Sequence, residues 1–107
     1  MSTAPAIFSP VGRIDGTNAA AAEAELKSIL ESDGPNLILD LSGVDYLSSA
    51  GLRVVLVAAK STRASGGKLV LAGPRPAISE ILAMSGFDRI IETAPDVEAA
   101  KAMFSKS

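Results

Sequence analysis

The chain has 107 residues, 48% of them apolar, and a formal net charge of -2, the size and balance of a single soluble domain with one hydrophobic core. It contains no cysteine and no histidine, which removes disulfides, thiolate chemistry, the commonest general base and the commonest metal ligand. A Ser-His-Asp hydrolase is excluded, and no catalytic residue, cofactor or metal is expected, since any metal site would have to be built from carboxylates and carbonyls alone. The acidic balance gives no electrostatic reason to expect direct nucleic-acid contact. No apolar run approaches the roughly 20 residues that cross a bilayer, and residues 1–10 lack the basic start and apolar core of a signal peptide. The expected setting is cytoplasmic, without membrane insertion.

In chain order, Ala6 to Ile14 carries Ile7, Phe8, Val11 and Ile14 but is broken by Pro10, so it reads as an edge strand or two strand fragments. From Thr17 or Asn18, either a good N-cap, an alanine-rich helix runs to about Ser32 with Ala22, Leu26, Ile29 and Leu30 on one face. Asp33-Gly34-Pro35 ends it, Gly34 suiting a left-handed position. Asn36 to Leu41 is a compact apolar run, as in a parallel strand buried on both faces. A loop over Ser42 to Leu47 then leads to a helix from about Ser49 to Ala64, on which Leu52, Val55, Leu56 and Ala59 recur at helical spacing.

Gly66-Gly67 ends that helix, Lys68 to Ala72 is a strand, and Pro74 to Ser85 a helix with Ile78, Ile81 and Leu82 inward. Arg89 to Thr93 reads as a last strand. A final helix starts at Pro95 or Asp96 and places Val97, Ala100, Met103 and Phe104 on a common face. Met84, Met103 and Phe104 are expected in the core. Lys60, Arg63 and Lys68 are too few for an anionic-ligand patch. Strands alternating with helices over short connections require an α/β domain with a largely parallel sheet.

The segment Leu37 to Arg53 puts two serines and a glycine at a junction into a helix. The first turn of a helix holds unpaired N–H groups and partial positive charge, so a phosphate on Ser49 would be stabilised there. It would add about -1.5 to -2 charges and hydrated bulk, enough to abolish docking through an apolar or acidic interface. A plain N-cap role for Ser48 or Ser49 is compatible with this. Gly51 suits close packing, of the chain's own backbone or of a partner.

The run Asp-Leu-Ser-Gly-Val-Asp-Tyr-Leu-Ser-Ser-Ala-Gly-Leu-Arg from Asp40 to Arg53 closely resembles the STAS domain of bacterial anti-sigma factor antagonists. So do Gly66-Gly67, Leu69-Val-Leu-Ala, the run Ile81 to Ile91, and Gly12-Arg-Ile-Asp15 before the first helix. The resemblance covers about Gly12 to Phe104. It implies a single STAS-like α/β domain over residues 1–107, with a mostly parallel mixed sheet of about four or five strands and about four helices. It also implies partner switching. The unphosphorylated antagonist binds an anti-sigma factor that is a serine kinase, phosphorylation by that kinase releases it, and a serine phosphatase restores it.

By position the phosphoacceptor falls on Ser49, and the partner-binding surface on Asp15, Ser48, Ser49, Ala50, Gly51 and Arg53. Ser48 stands where many members have aspartate, and Ala50 where many have serine or threonine. Asp15 is equally a turn or capping carboxylate, Asp40 an acceptor for the loop that follows it, and Arg53 a solvated cation. Few residues precede Gly12, where many members have a full extra strand, so a sheet edge is expected to stay open to pairing with another chain, such as a weak homodimer. Two other readings are a STAS-type regulatory subunit of a membrane transporter, for example a lipid transporter driven by an ATPase, and a receiver-like or small enzymatic domain. The latter lacks the clustered acids it would need.

Overall fold

The structure, a computed structural model, describes residues 4–105. Six strands and four helices follow one another as β1 (Ala6–Phe8), β2 (Gly12–Ile14), α1 (Ala19–Asp33), β3 (Leu37–Asp40), β4 (Val44–Leu47), α2 (Ser49–Ala64), β5 (Leu69–Ala72), α3 (Pro76–Met84), β6 (Glu92–Ala94) and α4 (Val97–Ser105). The main sheet has the order β1-β3-β5-β6, and every neighbouring pair is parallel. Side chains alternate across a strand, so Leu37, Leu39, Leu69 and Leu71 face one side, where they meet Phe8, Leu26, Val54, Val55 and Ala58. Ile38, Val70 and Ala72 face the other side, beneath Ala100, Met103 and Phe104 of α4. Burying each large aliphatic side chain contributes about 1.5–3 kcal/mol. The double-sided burial expected of the Asn36–Leu41 run is thus realised, and β3 and β5 anchor the domain.

Several expectations change. The Ala6–Ile14 segment is two strand fragments, one of its two expected forms, but they lie in different sheets: β1 edges the main sheet, whereas β2 pairs in parallel with β4 in a separate two-stranded ribbon. The stretch expected as a loop therefore contains a strand, β4, with Val44 and Leu47 buried and Asp45 and Tyr46 exposed. The register of the ribbon slips between Gly12 and Arg13, where Gly12 takes a φ of 85°. Asn18 flanks α1 as its cap residue but makes no side-chain cap bond. Gly34 is extended rather than left-handed, and glycine is needed there because a Cβ would strike the Leu30 carbonyl.

α2 has the expected bounds but presents a different face. Its buried residues are Gly51, Val54, Val55, Ala58 and Thr62, while Leu52, Leu56 and Ala59 are half-buried. Thr62 is accommodated because its hydroxyl donates to the carbonyls of Ala58 and Ala59, both at 3.0 Å. α3 begins at Pro76, not Pro74, and Met84 at its end is 82% exposed, outside the core, whereas Met103 and Phe104 pack beneath the sheet. The last strand is shifted toward the C-terminus: Phe87–Arg89 forms a 3-10 turn, the Ile91 N–H donates to the Phe87 carbonyl at 2.9 Å, and β6 starts at Glu92. α4 is capped by Asp96, whose carboxylate accepts from the Ala99 N–H at 2.8 Å.

Candidate functional site

The ribbon brings two helix starts side by side. β2 and β4 run in parallel with Ile14 level with Leu47, so the chain leaves both strands in the same direction, toward α1 and α2. The backbone N–H of Ser48 donates to the Ile14 carbonyl at 3.0 Å. The Ser48 hydroxyl accepts from the Gly51 N–H at 3.3 Å and lies 3.4 Å from the same Ile14 carbonyl, to which it donates. Of the two serines, Ser48 is therefore the N-cap. Ser49 is the first residue of α2, exposed, and its hydroxyl has no hydrogen-bond partner among the described residues.

Gly51 explains how the two strands can sit so close to α2. A Cβ at this buried position would lie 2.5 Å from the Ile14 carbonyl oxygen and 3.0 Å from Leu47 Cδ2. Its missing side chain accommodates the protein's own β2 strand.

The residues before α1 form a second polar knot. One oxygen of Asp15 accepts from the Thr17 N–H at 2.9 Å and from the Thr17 hydroxyl at 2.6 Å, and the other pairs with Arg13 Nε at 3.3 Å. Asn18 reaches backward, accepting from the Asp15 N–H at 2.9 Å and donating to the Arg13 carbonyl at 2.7 Å. The Thr17 hydroxyl and N–H, aided by Arg13, hold the Asp15 carboxyl below its ordinary range against some desolvation. Arg13 also lies over the Tyr46 ring, 4.6 Å from its centroid.

Gly16, Ala19, Ala20 and Glu23 on one side and Ala50 and Arg53 on the other line an open groove between the helices. The fold thus gathers the Asp15 loop, Ser48, Ser49, Ala50 and Arg53 at one end of the molecule, and turns Gly51 inward. Arg53 is exposed and forms no ion pair among the described residues. Tyr46 and Arg13 were not singled out in the sequence. Taking Val-Asp-Tyr-Leu as a strand would have placed Tyr46 beside the ribbon's other strand.

The family model of the STAS domain matches residues 2–100. The chain belongs to the STAS domain family. A relative from Bordetella bronchiseptica, BtrV, named as a candidate anti-sigma factor antagonist, is 43% identical over 93 residues, covering 87% of this chain and 80% of that one. Among solved structures, a candidate anti-sigma factor antagonist from Thermotoga maritima superposes with a TM-score of 0.88 at 24% identity, over 94% of this chain and 86% of that chain. The STAS domain of a SulP transporter from Vibrio cholerae gives 0.75 at 22%, over 98% and 84%. The fold is therefore shared by proteins that serve different complexes.

In this STAS domain Asp40, at the end of β3, is committed to structure. It accepts from the Ser42 N–H at 3.0 Å, the Ser42 hydroxyl at 2.7 Å and the Ser9 hydroxyl at 3.2 Å. Desolvation pushes its pKa up, but the two bonds from Ser42 and the one from Ser9 prevail and hold it below the ordinary value. Among the described residues no three acids come together as a metal site would require, and no helix is long and apolar enough to cross a membrane.

Proposed function

We propose that this chain is an anti-sigma factor antagonist. It docks, through the surface around the start of α2, on an anti-sigma factor with serine-kinase activity, and it is released when Ser49 is phosphorylated. A serine phosphatase resets it. The observation that carries the proposal is the division of labour at the junction: Ser48 holds the cap, so Ser49 stands exposed with an uncommitted hydroxyl. The 43% identity to a relative named as an antagonist of this kind supports the same reading.

Phosphorylating Ser49 breaks no internal bond. The folded domain tolerates the phosphate, because it falls in the first turn of α2, at the positive end of the helix dipole. On the docking surface it brings charge and hydration that a complementary partner face cannot accommodate. The chain itself needs no catalytic group, since the partner's kinase supplies the chemistry.

The test is a pull-down with mass spectrometry and phosphosite mapping, followed by binding of the purified kinase-type partner. Ser49→Ala is expected to bind and resist phosphorylation, and Ser49→Asp to bind at least tenfold more weakly. Equal affinity of Ser49→Asp and the unmodified protein would overturn the switch. Recovery of a transporter ATPase instead of a kinase-type protein would move the reading to transporter regulation.

A further inference from the structure

α2 carries Arg53, Lys60 and Arg63 and not one acidic residue, in a chain whose net charge is -2. At 3.6 residues per turn, positions 49, 53, 60 and 63 fall within an arc of about 80°. All four side chains are exposed; the half-buried Leu56 lies among them, and the half-buried Val57 flanks the arc. This is the face turned away from the sheet.

The three cations are also unspent among the described residues, as is Arg89, whereas Arg75 donates to the Ser42 carbonyl. Lys27 pairs with Glu23, Lys68 with Glu92, Lys101 with Glu98 and Arg13 with Asp15. Arg53, Lys60 and Arg63 form no ion pair among the described residues. Lys60 and Arg63, three residues apart on one helix, repel each other. Within the molecule this repulsion is offset only by the place of Arg63 in the last turn, near the negative end of the helix dipole. At its far end, Arg63 borders a cleft shared with Ala59, Ile90 and Ile91, where Ile90 is 57% exposed. Cations around a partly apolar strip have the composition of a protein interface.

We infer that the outward face of α2, from Ser49 to the Ile90 cleft, is a basic docking ridge for an acidic surface of the protein partner. The inference rests on the antagonist reading for the partner's identity, and it adds the partner's charge and the extent of the contact. The ridge is roughly 21 Å long. A phosphate on Ser49 lies one turn from Arg53 but beyond a Debye length of about 8 Å from Lys60 and Arg63. It cancels the attraction at one end of the ridge and leaves the other end charged.

Two measurements decide this. In the first, p-benzoylphenylalanine replaces Ala50 at the start of α2, Ala64, an exposed residue on the same face, or Ala102 on α4 as a control, and the full chain is photo-crosslinked in cells. Adducts from position 64 are expected on an Asp/Glu-rich segment of the protein that also crosslinks from position 50. In the second, Lys60→Glu with Arg63→Glu is expected to weaken binding of the purified kinase-type partner at least tenfold and to flatten its salt dependence. The double variant should stay folded, losing no more than a few degrees of melting temperature to the helix dipole, and Lys60→Arg with Arg63→Lys should retain binding. Adducts at position 50 but none at 64, adducts on a segment without acidic excess, or adducts on lipid overturn the ridge. So does unchanged affinity of the charge-reversed variant. If that variant binds normally while Ser49→Asp does not, the ridge fails and the switch stands; if Ser49→Asp binds normally, the switch itself fails.

Discussion

α1 and α2 start side by side against the same strand, β2, yet their first residues are used in opposite ways. Ahead of α1, Asn18 turns its amide back onto Arg13 and Asp15, Asp15 closes on Thr17, and no side chain caps the helix. At α2 a single residue, Ser48, both caps the helix and ties it to Ile14. The first start spends its polar groups on fixing a loop. The second needs only one, which leaves its neighbour Ser49 outward and unspent. Because Ser48 supplies the cap, modification of Ser49 takes no cap away from α2.

The largest effect should come from closing the gap that lets α2 approach β2. Alanine is favoured over glycine in a helix by about 1 kcal/mol. At position 51, however, the added methyl meets a backbone carbonyl that has no rotamer to escape into. Gly51→Ala is expected to destabilise the domain by about 2 kcal/mol or more, a drop of roughly 8–16 °C in melting temperature. Thermal denaturation checks this, and a gain in stability would mean that α2 can slide away from β2.

Next, Ser48→Ala should cost about 1 kcal/mol and raise hydrogen exchange in the first turn of α2. Asn18→Ala should cost less, about 0.5–1 kcal/mol, because water can take over its exposed backbone partners. Its enhanced exchange should appear in residues 13–17, not in α1. Indistinguishable exchange maps for the two variants would erase the contrast between the two starts.

How much of this was visible in the sequence follows from what periodicity can score. The bounds of α2, the buried β3 and β5, and a serine cap at the start of α2 were readable because each has a local signal, but which of the two serines caps was not. The face of α2 was misjudged because Gly51, Ala58 and Thr62 carry the packing, and a glycine and a threonine count as gaps in an apolar stripe. β4 was missed for a different reason. Its four residues run buried, exposed, exposed, buried, without alternation, and its pairing partner lies some thirty residues upstream across a register slip. Ile90 and Ile91 suggested a strand by composition, but the turn after Gly86 exposes the first and buries the second. Within the site, residue types were legible, whereas the inward turn of Gly51 and the knot around Asp15 depend on contacts with β2.

The smallest expected effect separates the two starts by acid. Asp15 and Asp40 are both held below their ordinary pKa by hydroxyl and amide donors. A carboxyl whose folded pKa lies below its unfolded value near 3.9 contributes stability that is fully present above that value. The contribution is lost as pH falls through the folded pKa. No carboxylate takes part in the cap of α2. Acidification below about pH 4 should therefore loosen residues 13–18 first, with the amides at the start of α2 still protected. Thr17→Val removes the hydroxyl donor to Asp15 but keeps the backbone one. In a carboxyl-carbon NMR titration it should raise the Asp15 pKa toward the ordinary range and leave Asp40, which answers to Ser42 and Ser9, where it is. An Asp15 that titrates normally before the substitution, or does not move after it, would mean that the loop ahead of α1 is held by Asn18 alone.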